Sequence, residues 1–508
     1  MNQVSDSNVT AKRAIRCDAG RPSASSPRRQ PGPATDSLNP RDRKFQQLQR
    51  EVQSLRAELD YYRSLAMPPD PAPTPPSDRP LPGHQFGVRF IALCIELAKR
   101  VGFRAAAFVV KLMLEFWGVD QKIPSHDAIA QWTMRLGVAE LAKTFDSTQQ
   151  VLWMADHSSQ IGKEKVLLII GMLVDDLPPP GETLDLEKLK VLAIVPGEKW
   201  KKEDVDREYQ RLAKKIGPPV YLLCDGAVEL RDPAQNLVKN GNKTIVLHDL
   251  KHHAANLLEK QVGRSERFKA FLTQVGLTRN RVQQTELSHF VPPALKQKSR
   301  FMNLGSLLRW STMVLHHLDH PESDSRQRIT EARMEEKLGW LRRFADDLTQ
   351  WKQCQDVIDQ TLAWINRNGL TRNSSSRLRE FLSSSLQLAS GQAGQRMSEK
   401  LIEFVAASEQ KLPEGSQAWL STEILESLFG RFKRLERQHS KGGFTRLLAC
   451  LPTLCKRVDA AAIRSGFKTT QARDVRQWIG ATLPTTLTAR RNAAYRQAFP
   501  NGPAKNQA

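Results

Sequence analysis

The chain has 508 residues, 40% of them hydrophobic and 26% charged, which is typical of a folded globular protein and too apolar for a wholly disordered one. Its net charge of +22 favours a polyanionic partner, nucleic acid before an anionic membrane. No apolar run reaches the roughly 18 residues of a membrane span, the first residues lack the apolar core of a signal peptide, and the six cysteines form no CxxC pair. These features exclude secretion, membrane residence and a cysteine-rich zinc fold, and they predict a cytoplasmic protein with reduced thiols.

The first 83 residues contain three predicted segments. Residues 1–44 are a basic stretch rich in Ser, Pro and Arg without a hydrophobic period, and they are predicted to be disordered. Residues 45–67 carry apolar residues at alternating spacings of three and four: Phe45, Leu48, Val52, Leu55, Leu59, Tyr62 and Ala66. About three heptads of this kind indicate either a short coiled coil, and hence a subunit contact, or one amphipathic helix packed on its own chain. Residues 68–83 are a predicted Pro-rich linker.

Residues 84–148 are predicted to be helical, with Ser125 as the N-cap of a third helix and Gly137 as its end. Two helices, a short turn and a further helix with polar tips are compatible with a helix-turn-helix DNA-binding domain. In that domain Gln131 and Arg135 are expected to be exposed and to contact DNA. The alternative is a plain three-helix cap, and the overall positive charge favours DNA binding over it.

From residue 149 to residue 261 the pattern changes to strands and helices in alternation. Apolar runs predict five strands, and helical segments follow the third, fourth and fifth of them. The runs lie at residues 151–156, 166–174, 191–197, 220–225 and 244–249. This order indicates a mixed α/β core.

Strand patterns are absent from the remaining sequence. Residues 262–415 predict an all-helical segment, and residues 416–438 predict one amphipathic helix that carries Glu423 and Glu426. Residues 439–508 are predicted to be a basic tail in contact with DNA, because residues 430–508 hold 16 Lys and Arg against 3 Asp and Glu. Arg431 and Arg434, at the start of this basic region, are predicted DNA contacts as well. The alternative for such a charge run is a solvated face.

Two predicted strands end on a carboxylate, the first at Asp156 and the fourth at Asp225. A buried carboxylate costs several kcal/mol unless it is paired or binds a metal. Carboxylates that meet at one edge of a sheet bind hard divalent cations, and two such ions catalyse in-line displacement at phosphorus. Glu423 and Glu426, three apart on a later helix, provide a third acid. The alternative is that each Asp caps a turn or a helix.

The order of these acids and their strand context resembles that of DDE-type transposases of bacterial insertion sequences, over roughly residues 85 to 480. The resemblance implies a ribonuclease-H-like mixed sheet that an all-α insertion interrupts between the second Asp and the Glu. It also implies that Asp156, Asp225 and Glu426 bind two Mg²⁺ ions, for which Mn²⁺ can substitute. Glu426 is preferred to Glu423 because Lys433 follows it by seven positions, as in the transposase helix.

Asp249 and His252 resemble the C/DxxH motif of Mutator-like and hobo–Activator-like elements. The resemblance implies that His252 orients a scissile phosphate or a metal-bound water. The alternative is a helix with Asp249 as its N-cap and a half-exposed histidine. Upstream of the Glu, related families have Tyr and Arg, where this sequence has Trp419 and Thr422. The roles of that Tyr and Arg are therefore not assigned to Trp419 and Thr422.

The resemblance implies a transposase that cleaves DNA at transposon ends and joins them to target DNA. The expected partners are double-stranded terminal inverted repeats and target DNA, and the expected state is a nucleoid-associated homodimer or higher oligomer. The alternatives are a catalytically silent, transposase-derived DNA-binding protein and a metal-dependent nuclease without strand transfer.

Overall fold

The computed structural model describes residues 40–66, 78–161, 164–197, 199–239, 241–294, 301–320, 330–384, 391–438, 447–482 and 487–499. The chain divides into two compact units, residues 1–77 and 78–508. In the first unit helix α1 spans Pro40–Ala66, so residues 40–44 are helical where disorder was predicted. Proline is well tolerated at a first helical position, because its missing N–H would be unpaired there anyway. The rest of the predicted disordered segment, the last residue of the predicted coiled coil and linker residues 68–77 lie outside the described residues.

The second unit opens with three helices, which are α2 (Val88–Val101), α3 (Phe103–Phe116) and α4 (His126–Ala142). Ser125 is the N-cap of α4 as predicted, since its hydroxyl accepts a hydrogen bond from Ala128 N at 3.1 Å. The prediction that Gly137 ends α4 is wrong, because the helix continues to Ala142. A Cβ at Gly137 would lie 1.8 Å from the carbonyl oxygen of Ala449, so close packing requires the glycine.

A five-stranded mixed sheet forms the centre of the second unit. Its strands are β1 (Val151–Ile161), β2 (Glu164–Leu173), β3 (Lys190–Gly197), β4 (Tyr221–Cys224) and β5 (Ile245–His248). The order is β3-β2-β1-β4-β5, with β2 antiparallel to β1 and β3, and with β1, β4 and β5 parallel. Helix α5 (Lys202–Ile216) precedes β4, and helix α6 (Val228–Lys239) makes the crossover from β4 to β5. The predicted mixed α/β class is confirmed.

Strand β1 is longer than the sequence predicts. The prediction that Asp156 ends this strand is wrong, because Asp156 pairs with Leu168 of β2 and the strand continues to Ile161. Parallel pairing of β1 with β4 stops at the pair Ala155 and Cys224. Asp156 is therefore the first β1 residue without a partner in β4. β1 continues past this point because it still pairs with β2.

Side chains alternate between the two faces of the sheet and bury two cores. Val151, Trp153 and Ala155 face a smaller core with α5 and α6. Leu152 and Met154 face a larger core, which α2, α3, α4 and helices that follow β5 cover. The two cores explain why the predicted strands are almost continuously apolar.

In the part of the chain that the structure describes, eight α-helices follow β5 before the C-terminal region. They are α7 (Leu250–Leu258), α8 (Glu266–Val282), α9 (Leu304–Asp319), α10 (Glu331–Leu338), α11 (Ala345–Asn368), α12 (Ser374–Ser384), α13 (Gln392–Glu409) and α14 (Glu423–Arg437). Their apolar faces join the larger core, where Phe268, Phe271 and Trp351 pack with ring centroids 5.1 to 6.3 Å apart.

The described part of the predicted basic tail is folded. A 3₁₀ segment, Leu448–Leu454, is buried throughout, and it is followed by α15 (Ala460–Thr469), α16 (Ala472–Thr482) and α17 (Leu487–Ala498). Residues 447–482 are folded onto the rest of the second unit, because the apolar run within them is buried against α4, and the contact of residues 439–508 with DNA stays a prediction. The prediction for this region was based on its excess of Lys and Arg, which gives no information about the apolar segment Leu448–Leu454.

Helix α4 is largely buried. It contacts α2, α3, β3, α15 and the segment at 448–454, and only Asp127, Gln131 and Ala142 of its residues are exposed. A recognition helix has to present one face to the groove of DNA, and these three residues are the ones that α4 exposes. The helix-turn-helix domain and its alternative, a three-helix cap, both stay predictions.

One core joins segments that were predicted as separate domains. The larger core includes residues from Cys94 in α2 to Val475 in α16. The insertion, the sheet and helices α2, α3 and α4 therefore belong to one compact unit. Among the described residues, no helix has the length and apolar character needed to cross a membrane.

Candidate active site

Three aspartates lie at one edge of the sheet and on one face of it. Asp156 follows the last β1 residue that pairs with β4, Asp225 follows β4 and Asp249 follows β5. The residues two positions earlier in each strand all face the larger core: Met154, Leu223 and Leu247. Because side chains alternate along a strand, the three carboxylates are placed on the same side of the sheet as the larger core.

Helix α14 carries Glu426 to the same place. Its apolar face is buried in the larger core through Ile424, Leu425, Leu428, Phe429, Phe432 and Leu435. The helix packs directly on β1, and the negative charge of Glu426 acts on Asp156. The structure thus brings Asp156, Asp225 and Glu426 into one electrostatic cluster.

Burial and like charges perturb both strand aspartates. Burial raises the pKa of Asp156 to about 7; the charges of Asp225 and Glu426 add to the rise, and the charge of His252 opposes it. Burial also raises the pKa of Asp225, and Asp249 adds to that rise. Mutual repulsion of this kind favours a bound proton or a bound cation.

Asp249 connects β5 to the start of α14. Its Oδ2 accepts hydrogen bonds from Thr422 N at 2.6 Å and from Thr422 Oγ1 at 2.7 Å, and its Oδ1 accepts one from His252 N at 2.8 Å. Burial alone would raise the pKa of Asp249, yet its contacts with His252 and Thr422 outweigh burial and lower the pKa. Asp249 therefore stays ionised and holds α14 beside the sheet.

His252 lies among the three aspartates. Its Nδ1 is 3.1 Å from Asp249 Oδ1, and its side chain is 19% exposed. Burial opposes protonation, but the contact with Asp249 and the charges of Asp225 and Asp156 raise the pKa of His252 to about 9. The cluster thus contains a cationic imidazolium at neutral pH.

Lys251 is a site residue that the sequence analysis missed. Its Nζ lies 2.8 Å from Glu423 Oε1 and 3.4 Å from Glu426 Oε2. Burial opposes its charge, but the hydrogen bond to Glu423 and the charge of Glu426 raise the pKa of Lys251. No sequence signal indicated this contact, because it spans the whole helical insertion. The contact of Thr422 with Asp249 was missed for the same reason.

The chemistry of the donor set suits a divalent cation, although the ligands are not gathered around one point. Three carboxylates that act on one another provide hard oxygen donors. Among the residues that the structure describes, no group of three or more His, Cys, Asp or Glu side chains is arranged to hold a metal ion. Lys251 pairs with Glu426, so Glu426 has to leave this partner before it can join a shared ion.

A basic cavity of about 1020 Å³ lies beside α14. Its cationic lining comes from the end of α2, from α14 and from the segment after residue 454: Lys99, Arg100, Arg431, Arg434, Lys456 and Arg457. Three acids, Glu96, Asp185 and Glu187, also line it. Arg434 is exposed, and Arg431 is exposed while its Nη1 donates to Leu454 O at 3.0 Å. Both predicted DNA contacts on α14 therefore face one basic cavity.

The other predicted contacts lie apart from this cavity. Gln131 is exposed on α4, and Lys433 is exposed on α14, two turns after Glu426. The expectation that Arg135 is exposed is wrong, and its contact with DNA stays a prediction. Its guanidinium lies 4.3 Å from the ring centroid of Phe467 and donates to the backbone carbonyls of Phe467 and Thr470. It is half-buried because α15 packs on α4.

No family model matches the chain, and no curated protein matches it. Among solved structures, the chain is similar to that of the Drosophila P element transposase strand transfer complex. The alignment covers 81% of this chain and 100% of that chain, with 11% sequence identity and a TM-score of 0.38. At this identity and TM-score, the similarity assigns no role to any residue of the site.

Proposed function

We propose that this protein is a DNA transposase with a ribonuclease-H-like core, in which Asp156, Asp225 and Glu426 carry the chemistry. In the proposed reaction, water attacks a phosphodiester at the transposon end, and the bond from phosphorus to the 3′ oxygen breaks. The products are a 5′-phosphate and a free 3′-OH. That 3′-OH then attacks a phosphodiester of target DNA and displaces a target 3′ oxygen, so that one bond forms for each bond broken.

The observation that carries the proposal is the shared position of the acids. Asp156 and Asp225 follow the last paired residues of two adjacent parallel strands, and α14 packs on β1 with Glu426 in its first turn. Active sites concentrate ionisable groups whose pKa values are strongly perturbed. Asp156 and His252 are such groups, with pKa values of about 7 and about 9.

Two Mg²⁺ ions, or Mn²⁺ in their place, are proposed to bind Asp156, Asp225 and Glu426. When bound, they supply activation of the nucleophile and neutralisation of charge on the leaving oxygen. Burial raises the pKa of Asp156, and the charges of Asp225 and Glu426 add to the rise. That added repulsion supports this assignment, because a divalent cation relieves it. Lys251 then has to release Glu426, and the phosphate backbone of DNA is the natural alternative partner for its ammonium group.

The remaining site residues are proposed to hold the DNA. His252, protonated at neutral pH by its contact with Asp249, donates to an oxygen of the scissile phosphate and so orients it. Arg431 and Arg434 hold flanking phosphates in the basic cavity. Lys433 and Gln131 are exposed and are proposed to make further contacts with the terminal inverted repeats or with target DNA.

The test is a plasmid mobility assay with the native flanks of the gene, on wild type, Asp225→Asn and Asp232→Asn. Asp232 lies on α6 and pairs with Arg231 at 3.1 Å, so its variant matches the charge change outside the acid cluster. We expect Asp225→Asn to lower joined products by about a thousandfold or more, and Asp232→Asn to leave them unchanged. Retained joining in Asp225→Asn would falsify the assignment. Cleaved ends without joined products in wild type would indicate a nuclease.

The second candidate is a catalytically silent DNA-binding protein derived from a transposase. The pairing of Lys251 with both Glu423 and Glu426 favours it, because the ammonium occupies the third acid. In this case wild type and Asp225→Asn both bind terminal DNA and neither produces cleaved or joined DNA. Cleavage by wild type in the presence of Mg²⁺ excludes this candidate.

A further inference from the structure

We infer that Glu423 is a positioning residue, which holds the Lys251 ammonium group when Glu426 binds a metal ion. This role deepens the proposed function and rests on it, because it takes Glu426 as the third metal-binding acid. Glu423 acts through Lys251 and not on the ion itself. It gives the ammonium a second carboxylate, so that Lys251 can release Glu426 and still remain beside the acid cluster.

Lys251 forms a bridge between the two glutamates in the first turn of α14. Its Nζ donates to Glu423 Oε1 at 2.8 Å and to Glu426 Oε2 at 3.4 Å. The two acids are three positions apart and therefore lie on one side of the helix. An ammonium group has three donors, so Lys251 can hold both carboxylates or keep one while the other leaves. The shorter contact, to Glu423, is the stronger of the two.

Hydrogen bonds between the start of α7 and the segment before α14 fix the position of this bridge. Leu250 N donates to Leu420 O at 2.9 Å, and Asp249 Oδ2 accepts a hydrogen bond from Thr422 N at 2.6 Å. The lysine and the first glutamate of the bridge are the next residues along these two segments. Their contact is therefore set by the paired backbones, whereas the longer contact reaches to the far side of the first turn.

The two glutamates have different surroundings. The charge of Glu426 acts on Asp156 in the acid cluster. Glu423 lines a neighbouring cavity of about 610 Å³. The side chain of Glu423 is 53% exposed, against 40% for Glu426. Glu426 is thus the acid that is placed for an ion shared with Asp156, and Glu423 is placed to keep the lysine.

The charge of Lys251 determines what the loss of Glu423 does. An ammonium group and a divalent cation repel each other, so they compete for the Glu426 carboxylate. Among the described residues, the acids that pair with Lys251 are Glu423 and Glu426. Without the charge of Glu423, the ammonium stays on Glu426 and metal binding weakens. If the ammonium is removed as well, this competition ends and Glu423 has no further effect.

The experiment is a double-mutant cycle in the full-length chain. It measures the Mg²⁺ concentration at which half of the metal-induced rise in Tm is reached. We expect Glu423→Gln to raise this concentration about fivefold, because Lys251 then pairs with Glu426 alone. The variant with both Glu423→Gln and Lys251→Gln should bind Mg²⁺ as tightly as Lys251→Gln does, because no ammonium group is left to be held.

Glu182→Gln is the matched control, because Glu182 is exposed and lines the same cavity as Glu423. It loses the same charge from the segment between β2 and β3, and it should leave the Mg²⁺ concentration unchanged. Equal losses of affinity in Glu182→Gln and Glu423→Gln indicate a general effect of negative charge and overturn the inference.

Two results of the cycle also overturn this role. If the double variant binds Mg²⁺ about fivefold more weakly than Lys251→Gln, the two charges act independently and Glu423 does not act through the lysine. If Glu423→Gln abolishes the rise in Tm and Lys251→Gln does not restore it, Glu423 is itself a metal ligand.

Asp225→Asn separates failure of this role from failure of the proposed function. If it abolishes the rise in Tm while Glu423→Gln leaves the Mg²⁺ concentration unchanged, the metal site stands and the role of Glu423 is refuted. If wild type shows no metal-induced rise, or Asp225→Asn shows the wild-type rise, the metal site of the proposed function is refuted and the role of Glu423 with it.

Discussion

At the scale of residues, the cluster around Asp225 is a balance of opposite charges. His252 and Lys251 bring two positive charges to acids that lie within or directly after three strands and on one helix. The cations neutralise the site and hold its parts together, and they also occupy positions at which DNA or metal would act. The state of these two side chains therefore determines whether the acids are available.

We predict that Lys251→Gln strengthens Mg²⁺ binding about fivefold, because the ammonium no longer competes for Glu426. The measurement is the Mg²⁺ concentration at which half of the metal-induced rise in Tm is reached. Lys260→Gln is the control, since Lys260 is exposed beyond the end of α7. A weaker response in Lys251→Gln would mean that Lys251 supports the metal-binding arrangement.

A second residue-scale prediction concerns acid stability. His253 stacks on Phe404 with ring centroids 4.0 Å apart, and burial, with the charge of Lys260 adding, lowers the pKa of His253 to about 4. A depressed pKa gives stability that is complete above the unfolded value of about 6.5 and is lost as pH falls toward about 4. We expect wild type to lose Tm between pH 7 and pH 5, and His253→Phe to lose less.

The control for this prediction is His126→Phe, because the His126 side chain is 42% exposed. It should reproduce the pH profile of wild type. A profile of His253→Phe that coincides with wild type would show that the acid loss arises at other groups.

At the scale of elements, local signals determined where helices begin more reliably than where they end. Ser125 caps α4 through a contact three residues away, which the sequence shows directly. Gly137 resembles a helix end in sequence, but its role is to admit the backbone at Ala449, which is more than 300 residues away in the chain. In a sequence, a glycine that ends a helix cannot be distinguished from a glycine that permits close packing of two backbone segments.

We predict that Gly137→Ala lowers the free energy of unfolding by about 3 kcal/mol, because the new Cβ has no room beside a backbone oxygen. Gly276→Ala is the matched control inside α8, where a Cβ meets nothing within 4 Å, and it should raise stability by about 0.5 to 1 kcal/mol. Denaturant unfolding measures both. Equal effects of the two substitutions would contradict the close packing of α4 on the segment at 448–454.

At the scale of the whole molecule, the charge excess of +22 is not spread evenly. Part of it converges on the basic cavity, where the ends of α2 and α14 meet the segment after residue 454. These residues are far apart in sequence, and Arg457 belongs to a region predicted as a tail. Folding turns a diffuse charge excess into a localised site.

We predict that the double change Arg434→Gln and Arg457→Gln weakens DNA binding and lowers the slope of log affinity against log salt by about 2, since each lost phosphate contact removes about 0.9. Arg211→Gln is the control, because Arg211 pairs with Glu208 on α5 on the opposite side of the sheet. An unchanged slope in the double variant would exclude the cavity as a phosphate-binding surface.

Local sequence patterns predict most elements of this protein, since five apolar runs correspond to five strands and the heptad spacing corresponds to helix α1. These signals are local, because side-chain periodicity follows from backbone geometry over a few residues. Long-range contacts, in contrast, extend β1 past Asp156, bury Arg135 and bring Lys251 to Glu426. Each of them depends on a partner distant in the chain, and the position of that partner is set by packing of the whole core.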